Sequence, residues 1–426
     1  MGRFARTGAM VGALVLTASL ALTGCGDDQK KAEFVGGNQP AGASAAPETT
    51  AGPTGSTPTA GAAAGPALQV SPADGAQKRP VSTEISAKIP GGGKVSEVVL
   101  TAAGGDKVEG LMRRDGSSWV PSSPLKYGTR YTATVTGTGT DGQTHQGSST
   151  FTTMAKPKSM IGSGLYLFDG KTYGVAMPVV AEFSPGIPEK DRAAVQKRMF
   201  VRTDPPQPGA WHWLYNGTQA YYRAPEYWQP GTTITVRLAL AGIPLSNGRY
   251  GNLDRTATAK IGRSFVMKVD NATKKMTVFE GGVLTRTLPV SLGKKSTPSS
   301  SGTMVVMEKK ESTVFDTRDE PDPDNQYVTK IDFAQRLTWG GEYIHSAPWS
   351  EGVQGRRNVS HGCVNVSAAN AKWLFERTLI GDPITVTGTE RKLVPGNGWT
   401  AWSMSWSEFV KGSALPVPDG GAEPAF

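Results

Sequence analysis

Cysteine and histidine are the scarcest reactive residues in this chain: two cysteines and four histidines among 426 residues. With so few, each must be accounted for singly. Long hydrophobic runs are scarce too. The one apolar stretch of note, residues 9–22, is shorter than the roughly 20 residues that a membrane-spanning helix needs. Charge of one sign is nowhere concentrated: the formal +9 is spread along the chain and gives no electrostatic footprint for nucleic acid. Metal-ligand spacing is also missing. His345, His361 and Cys363 form the only cluster of ligating types, without paired spacing or a fourth ligand, so no metal or other cofactor is expected.

What is present begins with export. Residues 1–6 are basic, the apolar run follows, and it ends at Leu22-Thr23-Gly24-Cys25, which resembles a lipobox. The resemblance implies a signal peptide over 1–25, lipid on Cys25, cleavage just before it, and a protein held on the outer face of the cell membrane. Residues 26–65 are rich in Ala, Gly, Pro, Ser and Thr, a composition that cannot bury enough surface to offset chain entropy. They read as a disordered tether. Once Cys25 carries lipid, Cys363 has no partner in the chain, and an unpaired thiol in an exported protein is either reactive or pairs between molecules. An inert buried cysteine is the bland alternative.

The folded part reads as mainly β. Short β-rich runs punctuated by Gly and Pro fill 66–155, and the pattern returns over 156–261. The turn and strand of residues 126–135 are echoed by 229–236, a period of about 100 residues that suits two tandem immunoglobulin-like sandwiches. Trp211, Trp213, Tyr215, Tyr221, Tyr222, Tyr227 and Trp228 crowd the second module; in strands such aromatics are core or interface residues before they are sugar platforms. His145 and His212 have no evident acid or nucleophile nearby in the sequence and are assigned no chemistry. A third domain over 262–390 carries paired strands and one strong helix, 367–378, with Ser367 as its N-cap. Residues 313–326 are too polar and Pro-rich for a regular element and read as a lid. In the extension, 391–426, Trp399, Trp402 and Trp406 have helical spacing, and disorder is expected after Lys411.

The chemistry concentrates in Ile344-His345-Ser346-Ala347-Pro348-Trp349 and Ser360-His361-Gly362-Cys363-Val364-Asn365. A thiol is nucleophilic only as its thiolate, and a nearby imidazole is the usual means of forming one, so the pattern suits acyl transfer through a thioester. Spacing alone leaves the base open. His361, two residues from Cys363, can share its face of an extended segment, and His345 is the rival. Gly362 lets backbone N–H groups approach a developing charge, so the Gly362 and Cys363 amides are natural oxyanion donors.

These two motifs resemble the catalytic signature of the L,D-transpeptidases, the YkuD-type cysteine enzymes that cross-link bacterial peptidoglycan. The resemblance implies a YkuD β-sandwich over 262–390, with Cys363 as nucleophile and His345 as base. The main-chain carbonyl of Ser346 orients the imidazole, and His361 has a structural or orienting role. Tyr327 would contribute to the oxyanion hole and, with Ser346, Trp349, His361 and Asn365, to binding substrate. The donor would be a stem tetrapeptide, the product a 3→3 cross-link with release of D-Ala, and carbapenem β-lactams would acylate Cys363. The Trp-rich extension would brace the enzyme. An L,D-carboxypeptidase would use the same residues with water; a sortase lacks its own signature here; a non-catalytic wall-binding lipoprotein would have no reason to keep His345, Gly362 and Cys363 together.

Overall fold

The computed structural model describes residues 68–318, 323 and 326–422. The signal peptide, Cys25, the 26–65 tether and most of the expected lid tip lie outside them.

Strand Arg130–Gly139 shows how the first module forms. Tyr131, Ala133 and Val135 alternate inward while their neighbours face out, the period of a strand with one buried face. It lies between Gly93–Ala102 and Thr144–Thr153 at the centre of a five-stranded sheet, over a core that includes Trp119 and Phe151. The second module pairs a five-stranded sheet with a four-stranded one around its own core. The repeated turn is real in three dimensions: Gly128 at φ +60° and Gly231 at φ +88° each lead into a strand, Arg130–Gly139 and Thr233–Leu238. That backbone conformation is one L side chains rarely adopt. Glu84 joins the modules, 2.6 Å from Arg113 and 2.5 Å from Arg198.

The third domain stacks a six-stranded sheet on a four-stranded one. The six-stranded sheet has Phe265–Asp270 and Pro383–Thr387 side by side in parallel at its centre. The four-stranded sheet runs in the order Glu308–Asp316, Val328–Arg336, Tyr343–Ser346, Val364–Val366. Helix Ala368–Arg377 buries Ala371 and Leu374 in the core that these sheets share, and the Ser367 hydroxyl caps it by accepting from the Asn370 N–H at 3.3 Å.

Three expectations need correction. The lid segment is more regular than its composition suggests: strand Glu308–Asp316 continues to the pair Asp316–Val328, because Phe315 packs on Tyr343 and holds the strand down. The tryptophans of the extension do not share one helix. Residues Ala401–Ser403 form a 3-10 turn, and a separate short helix, Trp406–Phe409, starts at Ser405 with a capping box that ends the preceding segment. Nor is the chain after Lys411 disordered as far as Ala422. Ala414 N–H donates to Gln196 Oε1 at 2.9 Å and Ala422 bridges to Gly209, both in the second module.

The extension braces chiefly that second module. Arg223 is the reason. Its guanidinium, 2% exposed, donates to the carbonyls of Ala224, Pro225, Ala401 and Met404 and stacks against Trp402, Trp406 and Phe409. Of the two histidines given no chemistry, His212 docks here, its Nδ1 2.6 Å from the Phe409 carbonyl; His145 does have an acid nearby, Asp141, at 3.9 Å. Tyr221 completes the join with a 2.9 Å bond to the Gly398 carbonyl, and of the aromatic crowd only Tyr215 stays largely exposed.

Candidate active site

Strands Tyr343–Ser346 and Val364–Val366 run parallel, with His345 directly opposite Asn365. Side chains alternate across a strand, so Tyr343 and His345 share one face. Cys363, one residue before its strand, continues the Asn365 side and comes up beside them. The sheet thus places thiol and imidazole on one face of adjacent strands, although 18 residues separate them in sequence.

The thiol is enclosed, 7% exposed, in a small apolar cluster with Ile331, Ala334 and Tyr343, against which Phe315 packs. Its Sγ points at the Gly341 carbonyl, 3.6 Å away. Burial pushes its pKa up to about 12; the Tyr343 N–H works against that rise and the Glu342 carboxylate adds to it.

His345 is also buried, 3% exposed, and its Nδ1 lies 2.8 Å from the Ser346 carbonyl oxygen. A carbonyl only accepts, so Nδ1 carries the proton and Nε2 keeps its lone pair. Burial pushes the imidazole below the ordinary histidine range, and the Ser346 carbonyl partly offsets that. Phe315 meets the ring edge-on at 5.9 Å and Trp349 lies tilted at 5.9 Å. Trp349 itself is 60% exposed and forms the outer wall. Both groups therefore rest uncharged in a dry pocket, a neutral thiol beside a neutral base.

The comparisons agree with this geometry. Residues 264–386 match the YkuD model, described as the L,D-transpeptidase catalytic domain, and residues 76–244 match a bacterial Ig domain. L,D-transpeptidase 2 of Mycobacterium tuberculosis is 32% identical over 353 residues, which are 82% of this chain and 85% of that protein. The chain belongs to the L,D-transpeptidases. L,D-transpeptidase 5 of the same species is 34% identical over 84% of this chain and 79% of its own length. A solved L,D-transpeptidase in complex with imipenem is 32% identical, is covered in full by 54% of this chain, and superposes with a TM-score of 0.46.

In this member of the family the two histidines of the motif occupy different settings. His361 is exposed, lies tilted against Tyr327 at 4.9 Å, and takes a hydrogen bond on Nε2 from the Lys294 ammonium at 3.1 Å. Burial and Lys294 lower its pKa. Its Nε2 is thus occupied, whereas on His345 the Ser346 carbonyl holds Nδ1. Tyr327 stands at the lid edge beside His361. Asn365, buried opposite His345, gives its Nδ2–H to Ser350 Oγ at 3.4 Å, and its side chain, like the Ser346 carbonyl, favours the charged form of His345.

The expected oxyanion role of Gly362 is corrected. Its N–H donates to Ser360 Oγ at 3.1 Å, and that hydroxyl donates to the Cys363 carbonyl at 2.7 Å. Together with Ser299, whose hydroxyl bonds the Gly362 carbonyl at 2.7 Å, these contacts hold the nucleophile's loop in shape. The glycine is needed for its φ of +127° rather than for its amide. Arg318 in the lid is paired with Asp316 at 2.5 Å, and Arg356 and Arg357 are exposed. Sequence reasoning missed Lys294, Ser300, Glu342 and Arg391 as neighbours of the site, none of which has a local signal.

Proposed function

We propose that this protein is a lipid-anchored L,D-transpeptidase that forms 3→3 peptidoglycan cross-links, with Cys363 as nucleophile and His345 as its base. The observation that carries the assignment is the shared strand face of Cys363 and His345, with the Ser346 carbonyl holding Nδ1. His345 Nε2 takes the Sγ proton as sulfur attacks the third-residue carbonyl of a donor tetrapeptide. Collapse of the tetrahedral intermediate breaks the bond to D-Ala, whose amine leaves with that proton. A side-chain amine of an acceptor stem, deprotonated by His345, then attacks the thioester; an amide forms and the thiol returns.

Because burial disfavours both a thiolate and an imidazolium, proton transfer accompanies attack instead of preceding it. With the Gly362 amide committed to Ser360, the Cys363 amide and the Tyr327 hydroxyl are assigned to the developing oxyanion. Asn365, opposite His345, is assigned to a substrate N–H, and Trp349 and His361 line the approach. A carbapenem carbonyl takes the place of the donor carbonyl and leaves an acylated Cys363. The anchor rests on Leu22-Thr23-Gly24-Cys25 and the tether behind it, which together put the enzyme on the outer face of the cell membrane beneath its substrate.

The test is mass spectrometry of products from the full chain with disaccharide-tetrapeptide, beside Cys363→Ala. D-Ala loss with a dimer that fragments as a 3→3 bond, absent in the variant, is the expected result. Tripeptide monomer alone would make the enzyme an L,D-carboxypeptidase, and no Cys363-dependent turnover would leave a wall-binding lipoprotein.

A further inference from the structure

Beneath the nucleophile's loop lies a buried charge that the mechanism does not use. The Glu342 carboxylate, 4% exposed, accepts from the Ser300 hydroxyl at 2.7 Å, from the Ser300 N–H at 3.2 Å, and from the Arg391 guanidinium. A Cβ at Gly362 would meet Glu342 Cγ at 3.6 Å and Arg391 Nη2 at 3.7 Å, so both side chains reach the residue just before Cys363. The neighbours of Glu342 touch the sulfur itself: the Gly341 carbonyl lies 3.6 Å from Sγ, and the Tyr343 N–H bonds it. Arg391 enters from the far side. It begins strand Arg391–Lys392, which pairs with Ser300–Ser301 where the catalytic domain passes into the extension.

We propose that Glu342 and Arg391 are an opposed pair of positioning residues that sets how readily Cys363 becomes a nucleophile. The carboxylate opposes negative charge on sulfur, and the guanidinium cancels the carboxylate. Among the described residues the other titratable groups at the thiol are Tyr343 and His345 on the adjacent strand; Ile331, Ala334 and Phe315, from the hairpin strands, are apolar. The Glu342 side chain is 6% exposed and that of Arg391 46%, so the carboxylate acts on the thiol from a low dielectric while solvent partly screens the guanidinium. Substrate plays no part in the arrangement, so this pair tunes the enzyme before any stem peptide arrives.

The proposal rests on Cys363 as the nucleophile, but its test does not need transpeptidation, so the two readings can fail separately. The rate of Cys363 alkylation by iodoacetamide is measured in the full chain against pH, read on the Cys363 peptide by mass spectrometry. Arg391→Met is expected to move the profile to higher pH by about one unit, or about tenfold slower alkylation at any fixed pH below the midpoint. Glu342→Gln is expected to move it the other way, and the double variant to return close to wild type. Arg391→Lys, which keeps the charge, should stay near wild type. Shifts of the same sign from Arg391→Met and Glu342→Gln, or no shift from either, would overturn the proposal. Should Arg391→Met fail to fold, Glu342→Gln alone decides: faster alkylation supports the pair, and an unchanged rate refutes it.

Discussion

Two of the buried polar centres among the described residues are finished differently. At the junction of the second module with the extension, Arg223 donates to four carbonyls and is walled by three aromatic rings. In the pocket of Cys363, the thiol has a weak contact at 3.6 Å, to the Gly341 carbonyl. Both centres are dry. Burial lowers Arg223 only to about 10, which leaves it charged at neutral pH, whereas the pocket keeps Cys363 and His345 uncharged. The Arg223 bonds to Ala401 and Met404 hold the extension to the second module, whereas the contact made by the thiol is weak.

Substitution at each centre should separate the two uses. Arg223→Met leaves four carbonyls without their donor and empties a three-ring stack. It should cost about 3 kcal/mol of stability and loosen the extension while leaving catalysis intact below the melting transition, as thermal unfolding and D-Ala release measured side by side would show. The pocket answers to pH instead. Because burial lowers the His345 pKa, the base stays neutral as pH falls through the ordinary histidine value of about 6.5, and activity is lost only as pH passes the lowered value. A D-Ala release profile whose acid limb lies below pH 6.5 is expected; an acid limb at or above 6.5 would place His345 in wetter surroundings. The smallest effect belongs to Ser346→Ala. The imidazole is held by the main-chain carbonyl, so the turnover number should change less than about threefold.

Where the sequence was readable, the interactions were local. The helix Ala368–Arg377 is announced by Ser367, three residues from the N–H it caps, and the strands by their alternation. The two catalytic motifs were legible because each is a contiguous run. What brings them together, the parallel pairing of His345 with Asn365, is a sheet contact that adjacency cannot show. The Arg223 clasp was invisible for the same reason: its partner carbonyl on Ala401 lies 178 residues away. The helical spacing of the tail tryptophans pointed to packing, and they do pack, but on Arg223 and the second-module core from two short elements. The Gly362 amide was assigned to the oxyanion from its place beside Cys363, before the competing Ser360 hydroxyl could be weighed.

The central claim is that the strand face, rather than closeness in sequence, chooses the histidine. Intact-mass kinetics of the acyl-enzyme formed on Cys363 with a tetrapeptide donor, compared between His345→Ala and His361→Ala, test it most directly. The structure predicts that His345→Ala slows acylation by about 10³-fold, within the range general bases supply, and that His361→Ala slows it far less. Near-normal acylation in His345→Ala with a collapse in His361→Ala would contradict it.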